Sequence, residues 1–332
     1  MDQLTHWIAE SGGYISPKVE VTAIPDRGNS IVAACSISKG EKLVSLSRHL
    51  LINAQSLGEP NLTSHQALAN FLLTSDSFWI ETLPKSFDSI PVCWSPAELK
   101  FLPAKNQAHV AKQLAQIAVD HRLACPNEPF DRFRWAWLCV NSRCLYWDVG
   151  RERKENMTMA PFIDFLNHDT DQSKTVQVKS GLGMALYAAR DYEKGEEICL
   201  NYGPHENAFL LCEYGFVAQQ NPWDYIDLTA KLEPLLKDHE SQLKELGYWG
   251  DYTINSDGAS FRTLVACEAL KNSKLKSVVD GLVEPDEWSP VLTEILNELE
   301  IVFKGPVPRP EIRHLYDGYL SIIYSSRSKV GT

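Results

Sequence analysis

Four short stretches of this chain combine residue types able to hold a small polar ligand and steer a reaction on it. Arg27-Gly28-Asn29-Ser30 is a turn of small residues between strand-like runs. Such a turn lets backbone approach a ligand closely, and serves equally well as a plain hairpin connection. Asn141-Ser142-Arg143-Cys144 closes an aromatic-rich helical run, where an arginine ordinarily complements the C-terminal dipole. In Ala160 to Asp169 an apolar run ends in polar groups, with Asp164 embedded between Ile163 and Phe165. A buried carboxylate is costly unless paired, so Asp164 requires a partner. Asp164 and His168 could ligate a metal, but no third ligand accompanies them, and the side-chain amide of Asn167 with nearby backbone groups suits a small polar ligand as well. The last stretch runs from Leu200 through Tyr202-Gly203 and Asn207 to Tyr214-Gly215-Phe216. Its two tyrosines are either core aromatics with satisfied hydroxyls or part of a site.

The elements that must position these groups fall into four blocks. Tyr14-Ile15, Val19 to Val21, Ile31 to Cys35, Leu43 to Leu46 and His49 to Ile52 read as short strands broken by turn clusters at 26–30 and 38–41. From Ser64 the spacing of Ala67, Leu68, Phe71 and Leu72 is helical. Asn106 to Leu123 and Phe130 to Val140 are further helices, with a proline-punctuated loop over 83–103. Strand character returns at Phe162 to Leu166, Thr175 to Val178, Met184 to Ala188 and Ile198 to Asn201, and Glu206 to Tyr214 reads as one short helix. After Trp223 amphipathic spacing recurs near 231–246, 259–272, 285–304 and 309–326. The layout is therefore strands, helical insert, strands, helical tail.

Composition sets outer limits. The 332 residues are 44% hydrophobic and 23% charged, an ordinary globular balance that excludes a disulfide-stapled miniature, a collagen-like fibre and a mostly disordered chain. With 32 Lys+Arg against 43 Asp+Glu the formal charge is −11, which disfavours nucleic acid as a direct ligand and suits a basic partner. The eight cysteines are scattered without a C-x-x-C pair, as expected of reduced core thiols in the cytoplasm or nucleus, and support no zinc site. The N-terminus lacks the basic and apolar regions of a secretory signal, and no stretch approaches the roughly 18 to 20 apolar residues of a membrane span.

In their order and combination, the four stretches resemble the SET-domain methyltransferases. The resemblance is to the branch typified by the Rubisco large-subunit lysine methyltransferase, which includes ribosomal-protein lysine methyltransferases. Arg27-Gly28-Asn29-Ser30, Ser142-Arg143-Cys144-Leu145, Pro161-Phe162-Ile163-Asp164-Phe165-Leu166-Asn167-His168, and Tyr202-Gly203 through Asn207 to Tyr214-Gly215-Phe216 match its successive motifs. Ser77-Phe78-Trp79, Leu83-Pro84, Pro91, Trp94 and Glu98-Leu99 match a further hallmark of the insert.

The resemblance implies an α+β fold: a SET-domain β-fold with a pseudoknot, a helical insertion and an all-α C-terminal domain. The catalytic domain would span 1–222, split by the insertion at about 61–135, and 223–332 would bind substrate. S-adenosylmethionine is the implied methyl donor. Asn167 and the His168 backbone would hold its adenine and amino-acid ends, Ser142 and Arg143 its carboxylate region, and Gly28 and Asn29 would touch it through backbone. Arg27 and Asp164 would belong to the same cofactor wall, Asp164 alternatively bracing the knot. Phe216 would pack near the cofactor, Leu145 and Tyr214 would line the lysine channel, and Tyr202 would be the catalytic tyrosine facing the methyl.

Methyl transfer is an in-line displacement that needs alignment and a neutral amine. A lysine with a pKa of about 10.4 in water reaches that state more readily in a narrow, desolvated channel. Arg27 stands where relatives often carry glutamate, and Leu145 where lysine-specific relatives usually carry phenylalanine. The zinc-binding segment of histone enzymes is absent from the pattern. The expected activity is methylation of lysine on a non-histone, ribosomal or translation-related basic protein by a monomer. The alternatives are histone-lysine or protein-histidine methylation, and a catalytically inactive peptide-binding protein of the same fold.

Overall fold

The computed structural model describes residues 2–25, 27–271, 275–285 and 289–328; Met1, Asp26 of the opening turn, residues 272–274, which include the end of the helical run expected at 259–272, residues 286–288 and residues 329–332 lie outside them. Packing divides the chain into two units, Met1–Asp88 with Ala111–Gly203, and Ser89–Val110 with Pro204–Thr332.

The first unit carries the strands β1 (Tyr14–Ile15), β2 (Val19–Ile24), β3 (Gly28–Ala33), β4 (Lys42–Ser47), β5 (Leu145–Tyr146), β6 (Met157–Thr158), β7 (Gln177–Ser180) and β8 (Gly183–Tyr187). One sheet has the order β1-β4-β8-β7, and β2-β3 and β5-β6 are separate antiparallel pairs. In β2-β3 the register runs from Val19↔Ala33 to Ile24↔Gly28, so Gly28, Asn29 and Ser30, expected as turn, are instead the first paired residues of β3. Gly28 is there because the turn demands it: its φ is 72°, in the left-handed region that a side chain disfavours. Helices Ser64–Thr74 and Phe130–Arg143 pack against each other in the insertion. The buried carboxylate of Asp120 is satisfied there by Gln66 Nε2 and Trp137 Nε1, each at 2.9 Å.

The threading that positions the site is made by the run 196–201. It bonds first to β3 (Ile198 N–H to Ile31 O, 2.8 Å), then to the stretch after the Asn-His pair: Leu200 N–H to Asn167 O at 2.8 Å, Asp169 N–H to Leu200 O at 3.1 Å and Val176 N–H to Cys199 O at 2.9 Å. His168↔Leu200 and Thr175↔Cys199 are parallel bridges. This is the pseudoknot the motifs implied, made of bridges rather than of a full strand at 198–201.

Two strand expectations are corrected. Phe162 to Leu166 is not extended: Ile163–Phe165 forms a 3-10 turn entered through Phe162 at φ 74°. This run is buried almost throughout, and a buried apolar run has the same appearance whether extended or coiled. His49 to Ile52 contains a 3-10 turn at Arg48–Leu50.

The second unit is mostly helical, with Asn207–Tyr214, Phe261–Lys271, Pro290–Lys304 and Pro310–Ser328 as its main helices. To the all-α expectation it adds a small sheet of β9 (Ile226–Asp227), β10 (Thr253–Asn255) and β11 (Gly258–Ala259), in the order β11-β10-β9. An Asn255-Ser256-Asp257-Gly258 turn builds its hairpin, with Asp257 N–H donating to Asn255 Oδ1 at 2.8 Å. The continuous helical segment expected over 231–246 is broken into Thr229–Leu232, Lys237–His239 and Glu240–Glu245.

Candidate active site

Ten of the twelve residues singled out above lie in the first unit: Arg27, Gly28, Asn29, Ser142, Arg143, Leu145, Asp164, Asn167, His168 and Tyr202. Tyr214 and Phe216 belong to the second. The stretch 164–168 connects two clusters in the first unit.

At its C-terminal end the threading brings His168 against Tyr202. The Tyr202 backbone N–H donates to His168 Nδ1 at 3.0 Å, and the two rings lie 5.1 Å apart. The Tyr202 hydroxyl donates to the Leu166 carbonyl at 2.7 Å, which fixes where its oxygen lone pairs point. Asn167 Nδ2 donates to Ser30 Oγ (2.6 Å), Glu197 Oε1 (2.9 Å) and the Arg27 carbonyl (3.3 Å). Arg27 pairs through Nε with Glu197 at 3.0 Å and donates from Nη2 to the His168 carbonyl at 3.1 Å. Gly28 and Asn29 are exposed on the adjoining hairpin.

At the other end, Arg143 Nη1 donates to the Asp164 carbonyl at 2.8 Å and lies 3.5 Å from Asp164 Oδ2. The Asp164 side chain is fully buried, and burial pushes its carboxyl above the usual range against the pull of Arg143. Asp164 Oδ1 and Arg143 Nε are buried without a hydrogen-bond partner. An unsatisfied guanidinium N–H beside a half-used cation is what the carboxylate of an amino-acid ligand would complete. Ser142 spends its hydroxyl on the Leu138 carbonyl of its own helix, at 2.7 Å. Leu145 pairs with Thr158 across β5-β6 and is half-buried. Among the described residues no group of three or more His, Cys, Asp or Glu side chains could hold a metal ion.

In the second unit helix Asn207–Tyr214 is capped by Glu206, whose side chain accepts from Phe209 N–H at 3.0 Å. It ends on Gly215 at φ 81°, the left-handed cap that turns the chain so that the Tyr214 and Phe216 rings lie 6.2 Å apart. Burial raises the Tyr214 hydroxyl to about 12, so it stays protonated at any working pH.

Motif reading missed Glu197 and the Leu166 carbonyl, and it included Ser30 in the first motif without giving its hydroxyl a role. Glu197 had one usable signal, since an arginine in the opening turn calls for a carboxylate close by in space. The carbonyl had none.

A family profile for the SET domain matches residues 28–203. The chain belongs to the SET-domain family. A second profile, the C-terminal domain of ribosomal lysine N-methyltransferase 2, matches residues 224–303. Ribosomal lysine N-methyltransferase set11 of Schizosaccharomyces pombe is 32% identical over 83% of this chain and 76% of its own length. Ribosomal lysine N-methyltransferase 2 of Saccharomyces cerevisiae is 28% identical over 64% of this chain and 56% of its own. The solved SET domain of LSMT bound to lysine and AdoHcy superposes with a TM-score of 0.64 at 15% identity, over 99% of this chain and 90% of that one, a likeness of fold. The SET profile ends at Gly203, one residue past the tyrosine that the threading sets against His168.

Proposed function

We propose that this SET-domain chain is an S-adenosylmethionine-dependent protein-lysine N-methyltransferase acting on a ribosomal or other translation-associated protein. The observation that carries the reading is the convergence of Asn167, His168 and Tyr202, far apart in sequence, through the 167–169 and 199–201 pairing. The relatives' names supply the acceptor class, and the formal charge of −11 suits a basic substrate.

S-adenosylmethionine, when bound, supplies a methyl already activated by its sulfonium. The chain's residues bind and align. Arg143 offers its unpartnered Nε–H to the amino-acid carboxylate, with Asp164 holding Nη1. His168 presents backbone groups for the remaining polar ends and Asn167 its amide oxygen, since Nδ2 is spent on Ser30 and Glu197. The Tyr202 hydroxyl has its proton committed to Leu166, which leaves its oxygen lone pairs to meet the polarised C–H groups of a transferring methyl. Leu145 would line the lysine channel. An apolar Leu145 offers nothing to orient an imidazole, which favours lysine over histidine as acceptor. On this reading residues 223–332 bind the substrate, and the protein works as a monomer in the cytoplasm or nucleus.

The test is incubation of the purified protein with methyl-labelled S-adenosylmethionine and ribosomal protein from cells lacking this activity, followed by mass spectrometry. Label on lysine of a ribosomal or translation-associated protein is the expected result. Label on histidine or on histone tails alone would reassign the acceptor, and no label on any protein, with the ligand shown to bind, would leave a peptide-binding module.

A further inference from the structure

We infer that Arg27 is a positioning residue for the nucleoside end of the methyl donor, acting through the His168 carbonyl; this rests on the methyl-transfer reading above. Leu200 N–H is bonded to Asn167 O and Asp169 N–H to Leu200 O. In an extended run, successive residues face opposite ways, so the N–H and carbonyl of His168 between them point away from 199–201. They form an adjacent donor and acceptor, the edge that a purine base with an exocyclic amine can match. Arg27 is on that carbonyl, with Nη2 at 3.1 Å.

Three further contacts keep it there. Nε pairs with Glu197 at 3.0 Å, Glu197 Oε1 accepts from Asn167 Nδ2 at 2.9 Å, and that same amide reaches the Arg27 carbonyl at 3.3 Å. One residue of the opening turn thus ties both members of the Asn-His pair, by its side chain and by its backbone. Stability alone does not account for the arrangement. The Arg27 side chain is 41% exposed, and a pair that open to water contributes little to stability. What the planar guanidinium does provide is direction, since two donors in a fixed fork hold a carboxylate and a carbonyl at once.

A carbonyl oxygen has two lone pairs, so a donor from the base can share the oxygen with Arg27. A cation on one lone pair also orders the acceptor before the ligand arrives. A carboxylate at this position could not donate to the carbonyl. The device belongs to this chain's own Arg27.

The experiment measures dissociation constants by calorimetry for the native protein, Arg27→Ala and Arg27→Lys. The probes are S-adenosylhomocysteine and 5′-methylthioadenosine, which lacks the amino-acid end. Arg27→Ala should weaken both ligands by the same factor, about tenfold for a lost charge-assisted contact. Arg27→Lys should recover part of it, because an ammonium reaches one of the two acceptors. The ligand-free melting temperature should stay within a few degrees, and kcat at saturating donor within about twofold, so that the loss appears in KM for the donor. If Arg27→Ala does not fold, Arg27→Lys carries the comparison alone. Unchanged constants for both ligands, a loss confined to S-adenosylhomocysteine, or tighter binding would each overturn the inference while leaving the methyl-transfer reading intact. Failure of the native protein to bind S-adenosylhomocysteine would overturn that reading, and this inference with it.

Discussion

At the residue scale the proposed reaction turns on one hydroxyl. Tyr202 is held from both ends, its N–H on His168 Nδ1 and its O–H on the Leu166 carbonyl, so the phenol oxygen is fixed in place before any ligand binds. Phenylalanine at 202 keeps the ring and its packing on His168 but removes the oxygen. Tyr202→Phe is therefore expected to bind S-adenosylhomocysteine nearly as well as the native protein and to lose turnover. The expected loss is roughly tenfold or more, equivalent to about 1.4 kcal/mol of barrier. Calorimetry paired with single-turnover labelling separates the two effects. Equal loss of binding and rate would mean that the hydroxyl serves the fold rather than the reaction. Tyr202 was singled out in sequence because a tyrosine-glycine pair after an apolar run, following an Asn-His pair, is a specific combination. Its partner was not, since a backbone carbonyl has no signature, and the donation to Leu166 depends on a 3-10 turn that the apolar run concealed.

At the element scale, helices were the easiest to read and the turns that aim the site the hardest. Helix Asn207–Tyr214 was legible almost to the residue: the run was read from Glu206, which in the structure is the cap, and a glycine follows its last turn. The 3-10 turn at Ile163–Phe165 was not, because burial erases the periodicity on which a strand or helix assignment depends. The 198–201 segment was recognisable as extended, but its pairing with 167–169 is non-local and came only through resemblance. The glycine that ends the helix offers a direct test. Gly215 has φ 81°, and a Cβ built on it would lie 2.4 Å from Ser89 Oγ and 2.9 Å from Ile90 Cγ1. Gly215→Ala must strain the backbone and displace both side chains, so we expect a loss of about 2 kcal/mol or more in urea unfolding. The Tyr214-Phe216 geometry should shift with it. A variant as stable as the native protein would show that the turn can be made without the left-handed cap.

At the scale of the whole molecule, the net negative charge conceals acids of two kinds. Half-buried carboxylates such as Glu300, held down to about 2 by Lys304 and Arg327, favour the folded state at neutral pH and lose that support as the pH falls from 4.5 through about 2. Asp224 works in the opposite sense. Its carboxylate is buried, accepting the Asn207 N–H at 3.0 Å and Nδ2 at 2.9 Å, with Glu206 and Tyr319 also facing it, and burial raises it to about 6 from 3.8. The folded state then holds more protons than the unfolded chain between those two values. Stability from this group is complete below the lower value and is lost as pH rises through the upper one. Asn207 cannot turn its amide to compensate, because Ala218 N–H and C=O fix both ends of it at 3.0 and 3.1 Å. Asp224→Asn removes the titration and sets one amide N–H₂ against another, a pH-independent cost of about 1–3 kcal/mol. The stability advantage of the native protein over the variant should accordingly be largest near pH 4 and shrink by about 2–3 kcal/mol by pH 7. Urea unfolding of both proteins at the two pH values measures it. A gap that stays constant, or widens toward neutrality, would mean that Asp224 is solvated in the folded state and that the loop after helix Asn207–Tyr214 is open to water.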